Sequence, residues 1–281
     1  MAGETQLHEI RDLFGEVVTR IDSKSLAAAL ERALLAGIDL RMTELGSNDL
    51  SGVNLSGANL EGSDFEESNL SGANLRGARL AGVNFASANL EKADLTEADL
   101  KGANLHQANL RGGNLTRANL EKALLDRATL EGCNLEGVQL RGLMMRGAHL
   151  GKSALEWKDL REANLEGADL RGANLYKANL SGTHLEGADL GEAHLLGAGL
   201  AGAKLRGANL EGARLPIGLA IWWKLVGKRI HARLASQTPG KMTLSTTAKL
   251  LDDNLYAEWK RSRREAREIA RHFKKHHNLD L

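Results

Sequence analysis

The chain is poor in several residue types on which other classes of protein depend. It has 281 residues but only one cysteine and two prolines, and 4% of its residues are aromatic. A single cysteine excludes a disulfide framework and a Cys-based zinc site, and it is typical of a reducing compartment. With so few aromatic residues, a buried core has to be built mainly from leucine and alanine.

Long apolar runs are missing as well. Residues 1–16 carry charge throughout and lack the apolar stretch of a signal peptide. No stretch approaches the run of about eighteen apolar residues that indicates a membrane span. We therefore expect a cytoplasmic protein, with delivery to another cell left open as an alternative.

What the chain has in abundance is a repeat of five residues. From Leu40 to Leu215 every fifth residue is large and apolar, and of these 36 positions 33 are leucine and three are Phe65, Phe85 and Met145. A step of five turns a helix by about 140° and reverses the face of a strand, so either element would expose many of these side chains. The chain must therefore turn once per repeat, which returns each leucine to the inner side.

The other positions of the repeat agree with a corner followed by a very short strand. Two residues before the leucine, alanine occupies 22 of 36 positions, and in an extended segment this residue shares the inner face. The residue between them points outward and is Asn or Asp at 23 of 36 positions. Two residues after the leucine, glycine occupies 20 of 36 positions, as expected for a corner with unusual backbone angles.

These units resemble the pentapeptide repeat proteins, whose motif centres on A-[DN]-L. The resemblance covers about three-fifths of the chain and is carried by units such as SGANL (56–60), EKADL (91–95), KGANL (101–105) and EGADL (166–170). It implies an all-β solenoid, namely a right-handed quadrilateral β-helix with four repeats per coil and therefore about nine coils. At a spacing of roughly 4.8 Å per coil, the rod would be near 40 Å long.

An open β-helix exposes unpaired backbone at both ends, so α-helical caps are predicted there. We assign residues 1–37 to an N-terminal helical cap and 38–215 to the β-helix. A second helix is predicted over 26–36, capped by Ser23 or Ser25 and ended by Gly37; a dimer-forming coiled coil is the alternative use of these helices. The first helix is predicted from apolar residues spaced by three and four: Leu7, Ile10, Phe14, Val17 and Ile21.

The C-terminal part differs in character from the repeat. We assign 216–235 to an apolar and basic capping helix that plugs the last coil, with an interfacial membrane helix as the alternative. Residues 236–281 are predicted to be a linker and a basic amphipathic helix. The segment 216–281 carries 14 basic and 6 acidic side chains, whereas 41–215 has a net charge of −4.

No set of catalytic or metal-binding residues is predicted to converge. His149, His184 and His194 lie at outward positions on three different faces. His272 and His276 lie one helical turn apart and could share a metal with Glu268, but a solvated helix surface is the usual state of such a pair in a basic tail. We therefore expect no enzyme, no cofactor, no metal and no small-molecule substrate.

Candidate partner-binding residues place apolar or basic side chains where the repeat has polar ones. Leu124 and Met144 replace the outward Asn on adjacent coils, while Tyr176 stacks on Leu196 and has Trp157 one coil away. The full set is Leu124, Met144, Trp157, Tyr176, Leu196, Trp222, Trp223, Trp259, Arg263, Arg264, Arg267, Arg271, Lys274 and Lys275.

Two residues interrupt the alanine position in the same stretch. Leu143 and Lys158 stand where alanine belongs. A charged lysine is costly in a leucine core, so the coil is predicted to bulge and release Lys158 to solvent. A tolerated defect and a recognition feature both remain open as interpretations.

Three functions are compatible with these features. We favour a non-catalytic protein-interaction scaffold, a rigid rod whose basic helical tail contacts another protein or a second copy. The resemblance implies a second: some pentapeptide repeat proteins mimic duplex DNA and occupy type II topoisomerase (gyrase), protecting it from inhibitors. That role requires a strongly negative surface, but only 41–100 is acidic, at −6, while 101–215 is +2. The third is a tether to nucleic acid or an anionic membrane through the basic C-terminal segment.

Overall fold

A computed structural model describes residues 5–215 of the chain. Two strands and a helix come first: β1 (Gln6–Asp12), β2 (Val17–Ser23) and α1 (Leu26–Leu35). A two-residue strand, β3 (Thr43–Glu44), opens the repeats, which continue as a regular stack to residue 215.

Each coil of the stack has four sides and contains twenty residues. The outward residue of one repeat forms a parallel β-bridge with the residue twenty positions later, as Asn69 does with Asn89. Four such ladders run along the rod, so the four-sided coil implied by the resemblance is present. We name the faces after one outward residue each: the Leu124 face (44 to 204), the Asn109 face (49 to 209), the Asn174 face (54 to 214) and the Asn179 face (59 to 199).

The backbone of a typical repeat is fully hydrogen-bonded, and residues 70–74 show how. Three of their N–H groups donate to neighbouring coils and a fourth closes a turn, with N···O distances of 2.7 to 3.0 Å. The fifth, of Ser71, donates to the side-chain oxygen of Asn69 at 3.2 Å. Outward Asn and Asp recur because their side chains accept the one N–H that ladder and turn leave over.

The outward amides also bond to one another along each face. The Nδ2 atom of Asn89 donates to Oδ1 of Asn69 at 3.1 Å, and that of Asn109 donates to Asn89 at 3.1 Å. Asn89 thus joins the coil above to the coil below. Because every contact is local to adjacent coils, the rod is stabilised as a stack of nearest neighbours.

The interior is filled by the leucines and the small residues beside them. Nearly all the leucines of the repeat and most of the alanines two residues before them are buried. Phe65 and Phe85 occupy the leucine position on successive coils of one side, with ring centroids 5.2 Å apart. The rod therefore has a continuous apolar core, which is less covered at its C-terminal end, where Leu200, Leu205 and Leu215 are only partly buried.

The first predicted helix is wrong, because its residues form a β-hairpin. β1 and β2 pair antiparallel, and Gly15 in the connecting turn has a φ of +84°. Alternation along β1 buries Ile10, whereas Phe14 at the tip is 81% exposed. The hairpin orders its strands β2-β1-β3, so β1 pairs with the first repeat and covers part of the open edge.

A helix does lie at the second predicted position. The hydroxyl of Ser25 accepts a hydrogen bond from the Ala28 N–H at 3.2 Å, and Gly37 follows the helix with a φ of +71°. The Oε1 atom of Glu31 accepts the N–H of Asn54 at 2.8 Å. Asn54 lies on the first coil and has no preceding coil to bond to, so Glu31 supplies the missing acceptor.

Candidate functional site

An aromatic cluster lies at the corner between the Asn174 and Asn179 faces. The rings of Trp157 and Tyr176 meet edge to face, with centroids 6.0 Å apart. Tyr176 stacks on His194 at 5.5 Å. We call Trp157, Tyr176 and His194, with Lys177, the aromatic corner. It spans three coils on the outside of the rod.

Lys177 places a positive charge over this cluster. Its Nζ atom lies 4.3 Å from the Trp157 ring centroid and 5.1 Å from that of Tyr176. A cation at this distance from an aromatic face is attracted to it and restricts the orientation of both side chains. The cluster is therefore ordered even though the Trp157 side chain is 65% exposed.

Trp157 stands in a backbone conformation that does not suit it. Its φ is +61°, in the left-handed region that glycine occupies in most repeats. Among the described residues it is the one aromatic residue with a positive φ. A left-handed conformation costs a non-glycine residue roughly 1 kcal/mol, and the exposed ring gains little burial to offset it. The fold alone does not account for a tryptophan here.

Of the two neighbours predicted for Tyr176, the structure places Trp157 against its ring but not Leu196. Leu196 lies directly below in the ladder, where its carbonyl accepts the Lys177 N–H at 3.0 Å, but the tyrosine ring lies on His194 instead. Reasoning from the twenty-residue period missed His194 and Lys177. A corner side chain leans toward the outward residue eighteen positions later, as Glu61 does when it accepts a hydrogen bond from Arg79.

The coil is disturbed next to this corner, at Lys158. Its Nζ atom donates to the Leu135 carbonyl at 2.6 Å, and the side chain is half-buried. Instead of releasing the ammonium to solvent, as predicted, the structure holds it against the backbone of the preceding coil. The regular bridges between the described coils are interrupted at Gln139 and between Asn134 and Ala154. Leu143 is accommodated in the core.

A second exposed apolar site lies on the Leu124 face. Leu124 and Met144 form a β-bridge on adjacent coils, and their side chains are 48% and 39% exposed. Neither side chain can accept the corner N–H that an outward Asn would accept. The Arg146 N–H donates instead to the carboxylate of Asp126 at 2.8 Å. These two residues thus interrupt the amide ladder of their face.

The described residues show no arrangement suited to bind a metal. His149, His184 and His194 belong to three different ladders, as predicted, and no group of three potential ligands lies together within residues 5–215. Cys133 points into the core, where burial raises the pKa of its thiol to about 12. Its Sγ donates to the Leu110 carbonyl at 2.9 Å, so Cys133 is held in the core as an unreactive thiol.

The remaining candidate residues lie outside the described part of the chain. They are Trp222, Trp223, Trp259, Arg263, Arg264, Arg267, Arg271, Lys274 and Lys275, together with the predicted helices of 216–235 and 236–281. Among the residues that are described, none of the helices has the length and apolar character needed to cross a bilayer.

The five-residue repeat, the four ladders and the filled core define a pentapeptide solenoid. The family model for pentapeptide repeats matches in eight copies, over residues 27–151 and 155–215. The chain belongs to the pentapeptide repeat family. Solved members of the family form a right-handed quadrilateral β-helix, in agreement with the four-sided coil of this chain.

Several solved structures are similar to the chain. HetL, a protein involved in heterocyst differentiation regulation in the cyanobacterium Nostoc sp. strain PCC 7120, is 31% identical, with 68% of this chain and 97% of HetL covered and a TM-score of 0.35. Full-length QnrB1, a plasmid-mediated fluoroquinolone resistance protein, is 22% identical, with 66% and 96% covered and a TM-score of 0.49. Rfr23 from Cyanothece 51142 is 31% identical, with 43% and 96% covered and a TM-score of 0.31. No curated protein matches significantly.

Proposed function

We propose that this pentapeptide repeat protein is a non-catalytic scaffold that binds another protein through the aromatic corner, with residues 236–281 as a second, basic contact element. The observation that carries the proposal is Trp157, which combines a left-handed backbone with an exposed ring. Such a residue weakens the fold slightly and contributes nothing to the core. A contact outside the chain would account for a tryptophan at this position.

The chemistry of the corner favours a protein surface as the ligand. Trp and Tyr are the residues most often found at the centre of protein interfaces, because they bury a large area at low entropic cost. Tyr176 is already half-buried against His194, and Lys177 restrains Trp157. Because little ordering remains to be done on binding, more of the contact energy is available as affinity.

Replacing Trp157 by glycine separates binding from stability. We expect the Trp157→Gly variant to melt at the same temperature as the parent or slightly higher, since glycine removes the left-handed strain. Loss of an interface hot spot should weaken partner binding by about 30-fold or more. Differential scanning fluorimetry gives the first quantity, and biolayer interferometry with the captured partner gives the second.

The matched control is Lys152→Gly, on the preceding corner of the rod. Lys152 also has a left-handed backbone, with a φ of +56°, but carries no aromatic ring. It should show the same or higher melting temperature and unchanged binding. A Trp157→Gly variant that binds as tightly as the parent would remove the aromatic corner from the proposal.

Deleting residues 236–281 tests the second contact element. We expect the truncated chain 1–235 to keep its far-UV circular dichroism and to lose partner capture, because the deleted segment carries ten of the fourteen basic side chains of 216–281. The measurement is a nuclease-treated pull-down from native lysate, read by mass spectrometry at low and moderate salt. The full chain and 1–235 are compared.

Each other outcome of the pull-down contradicts a stated part of the proposal. Gyrase subunits captured equally by both chains would favour DNA mimicry by the acidic coils of 41–100. Binding that disappears with nuclease or modest salt would favour a tether to nucleic acid. A truncated chain that is unfolded would show that 236–281 is part of the fold.

A further inference from the structure

The Leu124 face changes character steadily along the rod. Its acidic end is followed by amides, then by the two apolar residues, and finally by a basic end. Its outward residues, in order from the N-terminal end, are Glu44, Asp64, Asn84, Asn104, Leu124, Met144, Asn164, His184 and Lys204. No other face of the described rod has this order of charge. One end of the face is therefore electrostatically complementary to the other.

The charges at both ends lie at the surface of the described rod. Asp64 is flanked at its corner by Glu66 and Glu67, and Lys204 is flanked by Arg206; all but Asp64 are exposed. Within residues 5–215 none of these five side chains forms an ion pair, although the Asn84 amide donates to Asp64 and Glu66. The neighbouring coils satisfy many other surface charges, such as Lys101 with Glu121 at 3.0 Å.

The spacing of these groups is symmetrical about the apolar pair. Asp64 precedes Leu124 by three coils, and Lys204 follows Met144 by three coils, because every outward residue repeats after twenty. Consider a two-fold axis that lies in the plane of contact, perpendicular to the rod, and passes between Leu124 and Met144. This axis would place the same face of a second copy against the first, with the two rods antiparallel. We propose that two copies of the chain pair in this way through their Leu124 faces.

The register places complementary groups level with one another. Asp64 faces Lys204 of the second copy, Asn104 faces Asn164, and Leu124 faces Met144. The arrangement is isologous, so each of these contacts occurs twice. The four apolar side chains lie at the centre and the charges lie at the two ends, as in a typical interface with an apolar core and a polar rim.

The corners beside the face extend the match. This two-fold axis brings each edge of the face against the same edge of the second copy. Glu66 and Glu67 therefore lie level with Arg206 of the second copy. On the same edge, Asp126 lies level with Arg146. Both pairs are of opposite charge, and both lie at the rim of the contact.

On the other edge of the face, one pair of side chains has like charge, but each of the two is already bound to an acidic residue of its own copy. Lys101 lies level with Arg161 of the second copy. Lys101 is bound to Glu121 at 3.0 Å, and Arg161 is bound to Asp159 at 2.6 Å. The Arg161 guanidinium holds the pKa of Asp159 at about 2, so that carboxylate stays ionised and compensates the charge at neutral pH. The edge does not oppose pairing.

Pairing also explains the interruption of the amide ladder. In one copy Leu124 and Met144 give up the corner hydrogen bonds of an outward Asn and gain little burial. In the pair they cover each other and exclude water at the centre. This contact uses a different face from the aromatic corner, so it does not depend on the proposed partner.

The test is the mass of the full chain in solution, measured by size-exclusion chromatography with light scattering and by analytical ultracentrifugation. We expect a dimer. Asp64→Lys alone and Lys204→Asp alone should each weaken dimerisation at least tenfold, because each places like charges level with one another. The double variant carrying both changes should restore it, since opposite charges again meet.

Controls distinguish the face from other routes to a dimer. Leu124→Asp should give a monomer, whereas Thr129→Asp, at an exposed position of the Asn109 face one repeat away, should leave the dimer unchanged. A monomeric parent would overturn the proposal. So would a dimer that ignores the single charge changes, or one that the double variant fails to restore.

Cross-linking measures the register directly. Met144 of the two copies would flank the axis about one coil apart, roughly 4.8 Å along the rod. A Met144→Cys variant should therefore form a covalent dimer with a short bismaleimide, whereas Thr129→Cys should not. Cys133 does not compete, because burial raises the pKa of its thiol to about 12. Equal cross-linking of both variants, or of neither, would contradict the register.

Discussion

Replacing Phe85 by alanine is expected to lower the free energy of unfolding by about 3–5 kcal/mol. Phe85 has no exposed surface, and its ring packs on Phe65 with centroids 5.2 Å apart. Each coil packs only against its neighbours, so the cavity left by the ring faces two coils that are both otherwise filled. Urea denaturation followed by far-UV circular dichroism measures the loss.

Two further variants separate burial from residue type. Phe85→Leu introduces the residue found at 33 of the 36 equivalent positions, and it should cost less than about 1.5 kcal/mol. Phe14→Ala removes a ring that is 81% exposed at the hairpin tip, and it should change stability by less than about 0.5 kcal/mol. A cost below about 1 kcal/mol for Phe85→Ala would contradict a close-packed interior.

Removing twenty residues is expected to harm the protein less than removing one. Deletion of 86–105 removes one complete coil and joins Phe85 directly to His106. The period of five is kept across the junction, so all four ladders continue. Deletion of Ala98 alone shortens one repeat to four residues and turns Leu100 or its neighbours toward solvent. We expect a loss of about 3 kcal/mol or more for the single deletion, from an exposed leucine and broken ladder bonds.

Thermal denaturation and small-angle scattering check this pair of deletions. The chain lacking 86–105 should melt cooperatively within a few degrees of the parent and be shorter by roughly 4.8 Å. The chain lacking Ala98 should melt far below it. If the two melt together, the twenty-residue coil is not the unit that governs stability.

The β-helix could be predicted from the sequence because the same requirement, an inward apolar side chain at every fifth residue, recurs in every repeat. Leucine at every fifth position from Leu40 to Leu215 excludes both a straight helix and a straight strand. The period gave the faces as well, so the contact of Leu124 with Met144 followed directly. What the period did not show was why Asn and Asp stand outward, since that depends on a hydrogen bond to the corner N–H.

The hairpin was missed because five apolar residues spaced by three and four also fit two short strands. Val17, Val18 and Thr19 form a β-branched run that favours a strand, and Gly15 supplies the turn. Once the chain reverses at Gly15, Ile10 is buried and Phe14 is exposed at the tip. A helix would have buried both. Tertiary pairing with the first coil therefore outweighed the helical spacing.

The aromatic corner was predicted in part for a similar reason. Trp157 and Tyr176 are placed on adjacent coils by counting alone. The contact of Tyr176 with His194 depends on the lean of a corner side chain across the face, which the twenty-residue count does not contain. Lys158 was placed wrongly because the count does not show that its ammonium reaches the Leu135 carbonyl.

The nearest-neighbour construction of the rod gives it a particular response to force. Each coil is bonded only to the coil above and the coil below, and the short strands that carry these bonds lie across the long axis. Tension applied along that axis acts on one layer of bonds at a time, so the chain would yield as a series of equal steps. Each step would release twenty residues, or roughly 70 Å of extended chain. The rod is thus a stiff spacer under low load and an extensible one under high load.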